Sequence, residues 1–461
     1  MRLTTGSLMS VDTECLTALP DTPNADERTR VLTSLLEEVA RLVPCLPGPS
    51  GVFTGWGRVY DDGGHIELAA VECSSPYEVP HALGSLQRIV ATAVNRLRER
   101  GPRVLLGTCT HGGRLTPSTP SWGAHENYLV GVDPRLLAER ALPFLVTRYQ
   151  AGSGAIWAPT CEYVASARLS ALSTDIGGST RDQRAIFSTA RLEHHAGDKP
   201  GHYRCHLILG DGHRSQISLA LHLGSTALVL RAIEAMPQGL SPLPRRNWPD
   251  PPGFWLAAAR ELNRLSADGG PPRVHPLAQD VQDFHAEFVE RFVDHLEDPP
   301  AWSHRFLNDW AETRDRVRKN DVDWLSSRLD PWIKHTLITA WLKDRKATWS
   351  DLPRHPDWLD ELALLDQEYH VFAGGRDLFG NLETLGLLHH QVDQGGPRTT
   401  WPESVVPDLA TRAKPRARFI QAHSGQHGFI VDWGGVVDLF QRTRHLLGDP
   451  FALEFELSPI E

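Results

Sequence analysis

The shortages in this sequence are informative. None of its six cysteines (Cys15, Cys45, Cys73, Cys109, Cys161 and Cys205) forms a CxxC pair. A structural zinc site built on closely spaced ligand pairs therefore has no footing in the spacing. A disulfide framework is not expected in a chain of this size without a secretory signal, and MRLTTGSLMSVDTE lacks the apolar core of one. The most apolar window, residues 219–230, is broken by His222, Gly224 and Ser225 and falls short of the roughly 20 residues a bilayer span needs. These absences predict a cytoplasmic protein with no membrane segment. No basic stripe interrupts the net charge of −10, which speaks against a nucleic-acid partner. Lysines are few (Lys199, Lys319, Lys334, Lys343, Lys346, Lys414), so self-modification would have few targets. There is no Walker A loop, no GxGxxG after a strand, no GxSxG elbow, no HExxH and no internal repeat.

What is present is an ordinary globular balance, 41% hydrophobic and 23% charged over 461 residues. That is enough for one large core and a smaller module. Residues 8–16 alternate as a strand does, placing Asp12 and Glu14 on one face. Residues 26–43 carry apolar positions at helical spacing after an Asn/Asp start. Two extended runs, 52–60 and 65–72, flank the turn Asp61-Asp62-Gly63-Gly64 and predict a hairpin. Helices are expected over 78–100, 134–150 and 218–236, and strands over 103–110, 125–132, 184–189 and 203–210. Residues 278–390 are mostly helical, with Trp302, Trp310, Trp324, Trp332 and Trp341 read as packing residues. Proline-rich connectors occupy 243–253 and 268–277. After a linker at 394–402, a last module opens with a basic strand-like run at 412–420 and closes on a helix. The fold class is α+β (or α/β), a mainly antiparallel sheet with helices, divided into 1–393 and a small C-terminal domain, 394–461.

Three polar clusters could carry chemistry. Asp12, Glu14, Asp62, His65, Glu67 and Glu72 form an acidic set. Hard cations such as Mg²⁺ take several carboxylate oxygens, and bound phosphates complete their shell; solvated acids at strand ends are the plainer alternative. Glu67 shares a face with Ala69 and Val71, whereas Glu72 points the other way. Asp62 also suits a tight turn, where aspartate bonds its own backbone. In the second cluster, Ser121–Leu129, His125 and Asn127 share a strand face opposite Glu126. Such polar side chains inside an apolar strand need partners, either a ligand or a core network. The third cluster holds Arg191, Glu193, His194 and His195, then Arg204 and His206; arginine's planar fork suits phosphate or carboxylate.

The order and wording of these clusters resemble the ligase and depupylase family of the prokaryotic ubiquitin-like protein (Pup) system. The resemblance is carried by Val11-Asp12-Thr13-Glu14-Cys15, by Gly55-Trp56-Gly57-Arg58-Val59-Tyr60-Asp61-Asp62-Gly63-Gly64-His65-Ile66-Glu67, and by Ser121–Leu129. It continues through the run LPFLVTR at 142–148, residues 191–196, residues 204–211 and residues 224–230. Weaker echoes follow at 366–370, 412–420, 431–433 and 449–451, so it spans nearly the whole chain. It implies a glutamine synthetase-like fold, a curved sheet cradling ATP and Mg²⁺. It further implies that Asp12, Glu67 and Glu14 or Glu72 ligate Mg²⁺ and that Asp62 is the catalytic base. By the same resemblance, Arg191 acts in catalysis, His125, Asn127, Arg204 and Ser215 contact nucleotide or phosphate, and Trp433 lies near the nucleotide.

The chemistry implied is transfer of the ATP γ-phosphoryl group to a carboxylate, followed by attack of an amine that yields its proton to a carboxylate base. The partners implied are a small Pup-like protein or peptide and an amine-bearing acceptor. Departures fall on the substrate side. A Lys-Asn-Asn-x-Asp stretch is replaced by Gly107-Thr108-Cys109-Thr110-His111, and Asn-Met-Ser-Glu becomes His213-Arg214-Ser215-Gln216. Asp12 stands where glutamate is usual, and Ile66 where proline is. The stretch between Glu14 and Gly55 is too short for the insertion typical of depupylases, which favours a ligase. Phosphotransfer to another acceptor, amide or isopeptide hydrolysis, and a nucleotide-binding pseudoenzyme are the alternatives.

Overall fold

The computed structural model describes residues 7–22, 24–178, 184–188, 202–236, 248, 253–265, 270–296, 298–392 and 408–459. The chain opens with β1 (Met9–Glu14), β2 (Leu16–Ala18), α1 (Ala25–Leu42), β3 (Cys45–Gly48), β4 (Gly51–Thr54), β5 (Gly57–Asp61), β6 (Ile66–Ala70) and α2 (Val79–Arg98). There follow β7 (Leu105–Gly107), β8 (Ala124–Val130), α3 (Arg135–Val146), β9 (Ala155–Trp157), β10 (Glu162–Val164), β11 (Thr174–Gly177), β12 (Ala185–Ser188), β13 (Tyr203–Gly210) and α4 (Gln216–Glu234). A helical stretch comprises α5 (Phe254–Leu262), α6 (Pro276–Asp294), α7 (Ser303–Lys319), α8 (Val322–Leu325), α9 (Asp330–Asp344) and α10 (Trp358–His370), then β14 (Val371–Ala373) and α11 (Leu378–Thr384). The last elements are α12 (Ala413–His423), β15 (Phe429–Asp432), β16 (Gly435–Asp438), β17 (Thr443–Leu446) and β18 (Glu456–Pro459).

A nine-stranded sheet in the order β11-β12-β13-β8-β1-β6-β5-β4-β3 organises the α+β fold. Its pairs are antiparallel except β11 with β12. β1 sits at the centre, and its burial alternates. Met9, Val11 and Thr13 face the helices, while Ser10, Asp12 and Glu14 face a half-open cleft. Register carries that second face across the neighbours: Asp12 lies opposite Ala69 and His125, Glu14 opposite Glu67, and Ser10 opposite Asn127. On the far side, α4 is buried along nearly its whole length. It is longer than the apolar window in the sequence and, by length and composition, could cross a membrane, yet 89% of its most apolar stretch is packed inside the protein. A helix apolar on every side is suited to such a core. Trp302, Trp310 and Trp332 are buried in the same core, with Trp324 and Trp341 packed against it.

Three local expectations are corrected. The run 52–60 is two strands, because Thr54 Oγ1 accepts from the Trp56 amide and turns the chain at Gly55-Trp56. Gly57 then sits at φ 135°, and a Cβ there would lie 2.1 Å from the Ala69 carbonyl oxygen, so only glycine fits this close crossing. Residues 412–420 are helical rather than extended. Arg412, Arg416 and Ile420 recur every four residues and bury one face of α12. The closing segment forms the antiparallel pair β17–β18 instead of a helix. This C-terminal four-stranded sheet packs Val431 and Val436 with Ile420 against Leu46 and Phe53 of the large sheet's edge.

Candidate active site

The sheet's polar face gathers side chains from distant parts of the sequence, Arg204 lying 192 positions after Asp12. Arg204 donates from Nε to Asn127 Oδ1 (2.7 Å) and through its second arm to Asp12 Oδ2 (3.3 Å). Asn127 Nδ2 donates to the same Asp12 oxygen at 3.1 Å. These bonds fix Asp12 at a cleft whose walls include Ser10, Leu129, Glu72, Arg412, Trp433 and Pro450. The walls thus combine charged side chains with aromatic and aliphatic ones, the mixture expected where a flat base and a polyanion bind together.

Deeper along the same face, Glu14 accepts from the Gly123 amide at 2.7 Å, with His125 Nε2 at 3.7 Å and His65 Nε2 at 3.9 Å from its oxygens. Burial pushes its carboxyl up, but His125, Arg168 and the Gly123 amide outweigh that and hold it below the usual range. Glu67, 4% exposed, has the opposite balance. Burial, reinforced by the negative charges of Asp12 and Glu14, pushes it well above the carboxylate range, although the Tyr60 hydroxyl bonds it. Burial, more than any neighbouring charge, holds His125 below its usual range.

Three carboxylates on adjacent strands are costly to hold together unless a cation is among them. The Nε2 atoms of His65 and His125 are buried here without a hydrogen-bond partner among the described residues. Crowded acids and orphaned ring nitrogens fit a site for a hard divalent cation and the oxygens it brings. Asp62 sits beside this group on the β5–β6 turn, its side chain 51% exposed and its Oδ2 3.9 Å from His65 Nε2. The turn itself is closed by Asp61, whose Oδ1 accepts from the Gly64 amide at 2.7 Å, so Asp62 is free of that duty.

The structure therefore brings together Asp12, Glu14, Glu67, Asp62, His125, Asn127, Arg204 and Trp433. It does not bring Ser215 with them. The Ser215 hydroxyl caps α4 by accepting from the Ser218 amide and donates to the Arg328 carbonyl. Glu72 lines the cleft, but its carboxylate is bound by Arg412 (2.7 Å) and Arg416 (2.5 Å) rather than joined to the acid group. Those arginines outweigh the cost of burial and hold it down to about 2. Arg191 lies outside the described residues. Spacing had not singled out Tyr60, which the hairpin register sets opposite Glu67. It also missed Arg168, a buried arginine anchored on Ser121 and Ile208 whose charge reaches Glu14. The register was legible from the DGG turn; Arg168 had no local signal.

The family model for Pup-ligase protein matches residues 17–437. A Pup–protein ligase from Acidimicrobium ferrooxidans is 32% identical, with 88% of this chain and 88% of the relative aligned. One from Actinosynnema mirum is 31% identical over 87% of each chain. Among solved structures, the ligase PafA in complex with Pup superimposes with a TM-score of 0.73 at 24% identity, covering 98% of this chain and 90% of that one. PafA bound to ADP gives 0.66 at 25% identity, covering 94% and 92%.

Proposed function

Because the chain belongs to the Pup-ligase family, we propose that it uses ATP and Mg²⁺ to phosphorylate a carboxylate of a Pup-like protein and passes the acyl group to an amine of a target protein. The observation that carries the reading is the convergence of Asp12, Glu14 and Glu67 on one sheet face, next to an arginine and a cleft with Trp433 on its wall. Asp12, Glu14 and Glu67 would hold the cation, which when bound neutralises charge on the nucleotide phosphates and so eases transfer of the terminal group.

The remaining roles belong to the chain's own side chains. Trp433, with Leu129 and Pro450, offers the flat apolar wall for a base. Arg204, held rigid by Asn127 and Asp12, presents its planar fork to phosphate oxygens without needing to reorganise. Asp62 is the exposed carboxylate nearest the acid group and takes the proton that an attacking amine must lose. Glu72 acts at a distance: by pairing with Arg412 and Arg416 it ties the C-terminal sheet, and with it Trp433, to the large sheet. Six free cysteines and the use of ATP support a cytoplasmic location.

The test is reconstitution. The chain, ATP, Mg²⁺, a Pup-like protein ending in a free carboxylate and a lysine-bearing acceptor should yield a conjugate whose mass is the sum of the two less one water. The reading fails if ATP is consumed and no such conjugate forms under any pairing of donor and acceptor.

A further inference from the structure

A second cluster of ligand-type side chains lies away from the cleft, where the stretch after β7 meets α10. Cys109, His111 and Asp366 are all more than nine-tenths buried, and each offers an atom within 4.8 Å of the other two. His111 Nε2 is 3.0 Å from Asp366 Oδ2, near the edge of about 3.3 Å expected of a tetrahedral site with bonds of 2.0–2.1 Å. The other ring nitrogen, Nδ1, bonds the Gly113 carbonyl at 2.5 Å, the outer contact that orients a metal-binding histidine. The second Asp366 oxygen is likewise held, by Lys334 Nζ at 2.6 Å, and Lys334 is itself bonded to His370 at 3.0 Å.

His111 thus faces an oxygen acceptor from each ring nitrogen. With Nδ1 held by the Gly113 carbonyl, Nε2 is the ring atom turned toward Asp366 and open to a cation between them. The Cys109 thiol donates to the His111 carbonyl oxygen at 3.1 Å, which holds the sulfur beside the His111 backbone. A divalent ion entering here would meet the Cys109 sulfur, His111 Nε2 and Asp366 Oδ2. An approach exists: His111 and Asp366 line a small cleft walled by Gly113, Leu115, Ile156 and Leu362.

We propose that Cys109, His111 and Asp366 form a zinc-type site with three protein ligands and a fourth position facing this cleft, distinct from the acid cluster of the large sheet. One sulfur, one nitrogen and one oxygen donor suit a borderline cation such as Zn²⁺ and do not suit Mg²⁺. Two of the three ligands, Cys109 and His111, stand two residues apart just after β7. Sequence spacing did not show it because Asp366 arrives from 255 residues away.

The test is cobalt substitution of the full chain. Titration of the metal-free protein with Co²⁺ should give one equivalent of four-coordinate visible spectrum and a thiolate-to-cobalt band in the near ultraviolet, both bleached by Zn²⁺. Cys109→Ser should remove the ultraviolet band, and His111→Gln should weaken Co²⁺ binding by at least ~10-fold. Glu67→Gln, which alters the acid cluster, should leave the band in place. A protein that takes up Co²⁺ without a thiolate band, or whose band survives Cys109→Ser through another of its cysteines, overturns the proposal. If Cys109→Ser fails to fold, His111→Gln decides: unchanged affinity overturns the site.

Discussion

Glu72→Gln isolates the contact that ties the C-terminal sheet to the large one. In the folded protein the Glu72 carboxyl is pulled from 4.5 to about 2, because Arg416 and Arg412 together overcome the cost of burying it. A displacement of that size corresponds to about 3 kcal/mol, at the lower end of the range of about 3–5 kcal/mol for removing one partner of a buried pair. Arg412 and Arg416, 3% and 1% exposed, would lose the Glu72 carboxylate. The effect should be local, so the assay is hydrogen exchange of the amides in α12 and β15. At pH 7 their protection factors should fall by about 300-fold, while amides of α4 change little. The pH dependence has a definite sign. A depressed carboxyl stabilises above its unfolded value near 4.5, and the contribution drains away as pH falls through about 2. The difference between wild type and Glu72→Gln should therefore shrink to about 10-fold at pH 3. A loss below 5-fold at pH 7, or a difference that persists undiminished at pH 3, would refute the reasoning.

Other changes separate charge for function from charge for stability. Glu67→Gln relieves like-charge crowding opposite Glu14; in chelator it should be as stable as wild type or ~1 kcal/mol more so, yet lose the Mg²⁺–ATP-induced rise in Tm. A Tm drop in chelator would make Glu67 a structural residue instead. Glu126→Gln is the contrasting case. Glu126 is fully buried, bonded twice by Arg148 at 2.8 Å and once by Tyr128 at 2.7 Å, with His222 Nε2 also at 2.8 Å. Its replacement should cost about 3–5 kcal/mol in chemical denaturation, and a loss under 1 kcal/mol would contradict that view of the core.

How much of this was legible beforehand depended on range. The alternation Ser10–Asp12–Glu14 and the DGG turn are short-range signals, and they placed two acids and the exposed Asp62 where the structure has them. His125 and Asn127 opposite Glu126 followed from the two-residue period alone. Long-range partners were not legible. Glu72 looked like another acid of the set until α12, 340 residues later, supplied its two arginines. Those arginines were masked because a spacing of four was read as an extended run. Ser215, read by resemblance as a nucleotide contact, is a helix cap whose hydroxyl is already used. The Cys109–His111–Asp366 group, likewise, exists only once α10 is packed against the strand end.

The central claim, that the acid face activates a carboxylate and Asp62 serves the later step, is tested most directly by single-turnover reaction with γ-labelled ATP and a Pup-like donor. Asp62→Asn should release ADP and transfer the labelled phosphoryl group to the donor carboxylate, trappable with hydroxylamine, while forming no conjugate with a lysine acceptor. Glu67→Gln should do neither. Loss of phosphoryl transfer in Asp62→Asn, or conjugate formed at the wild-type rate without Asp62, would contradict the account.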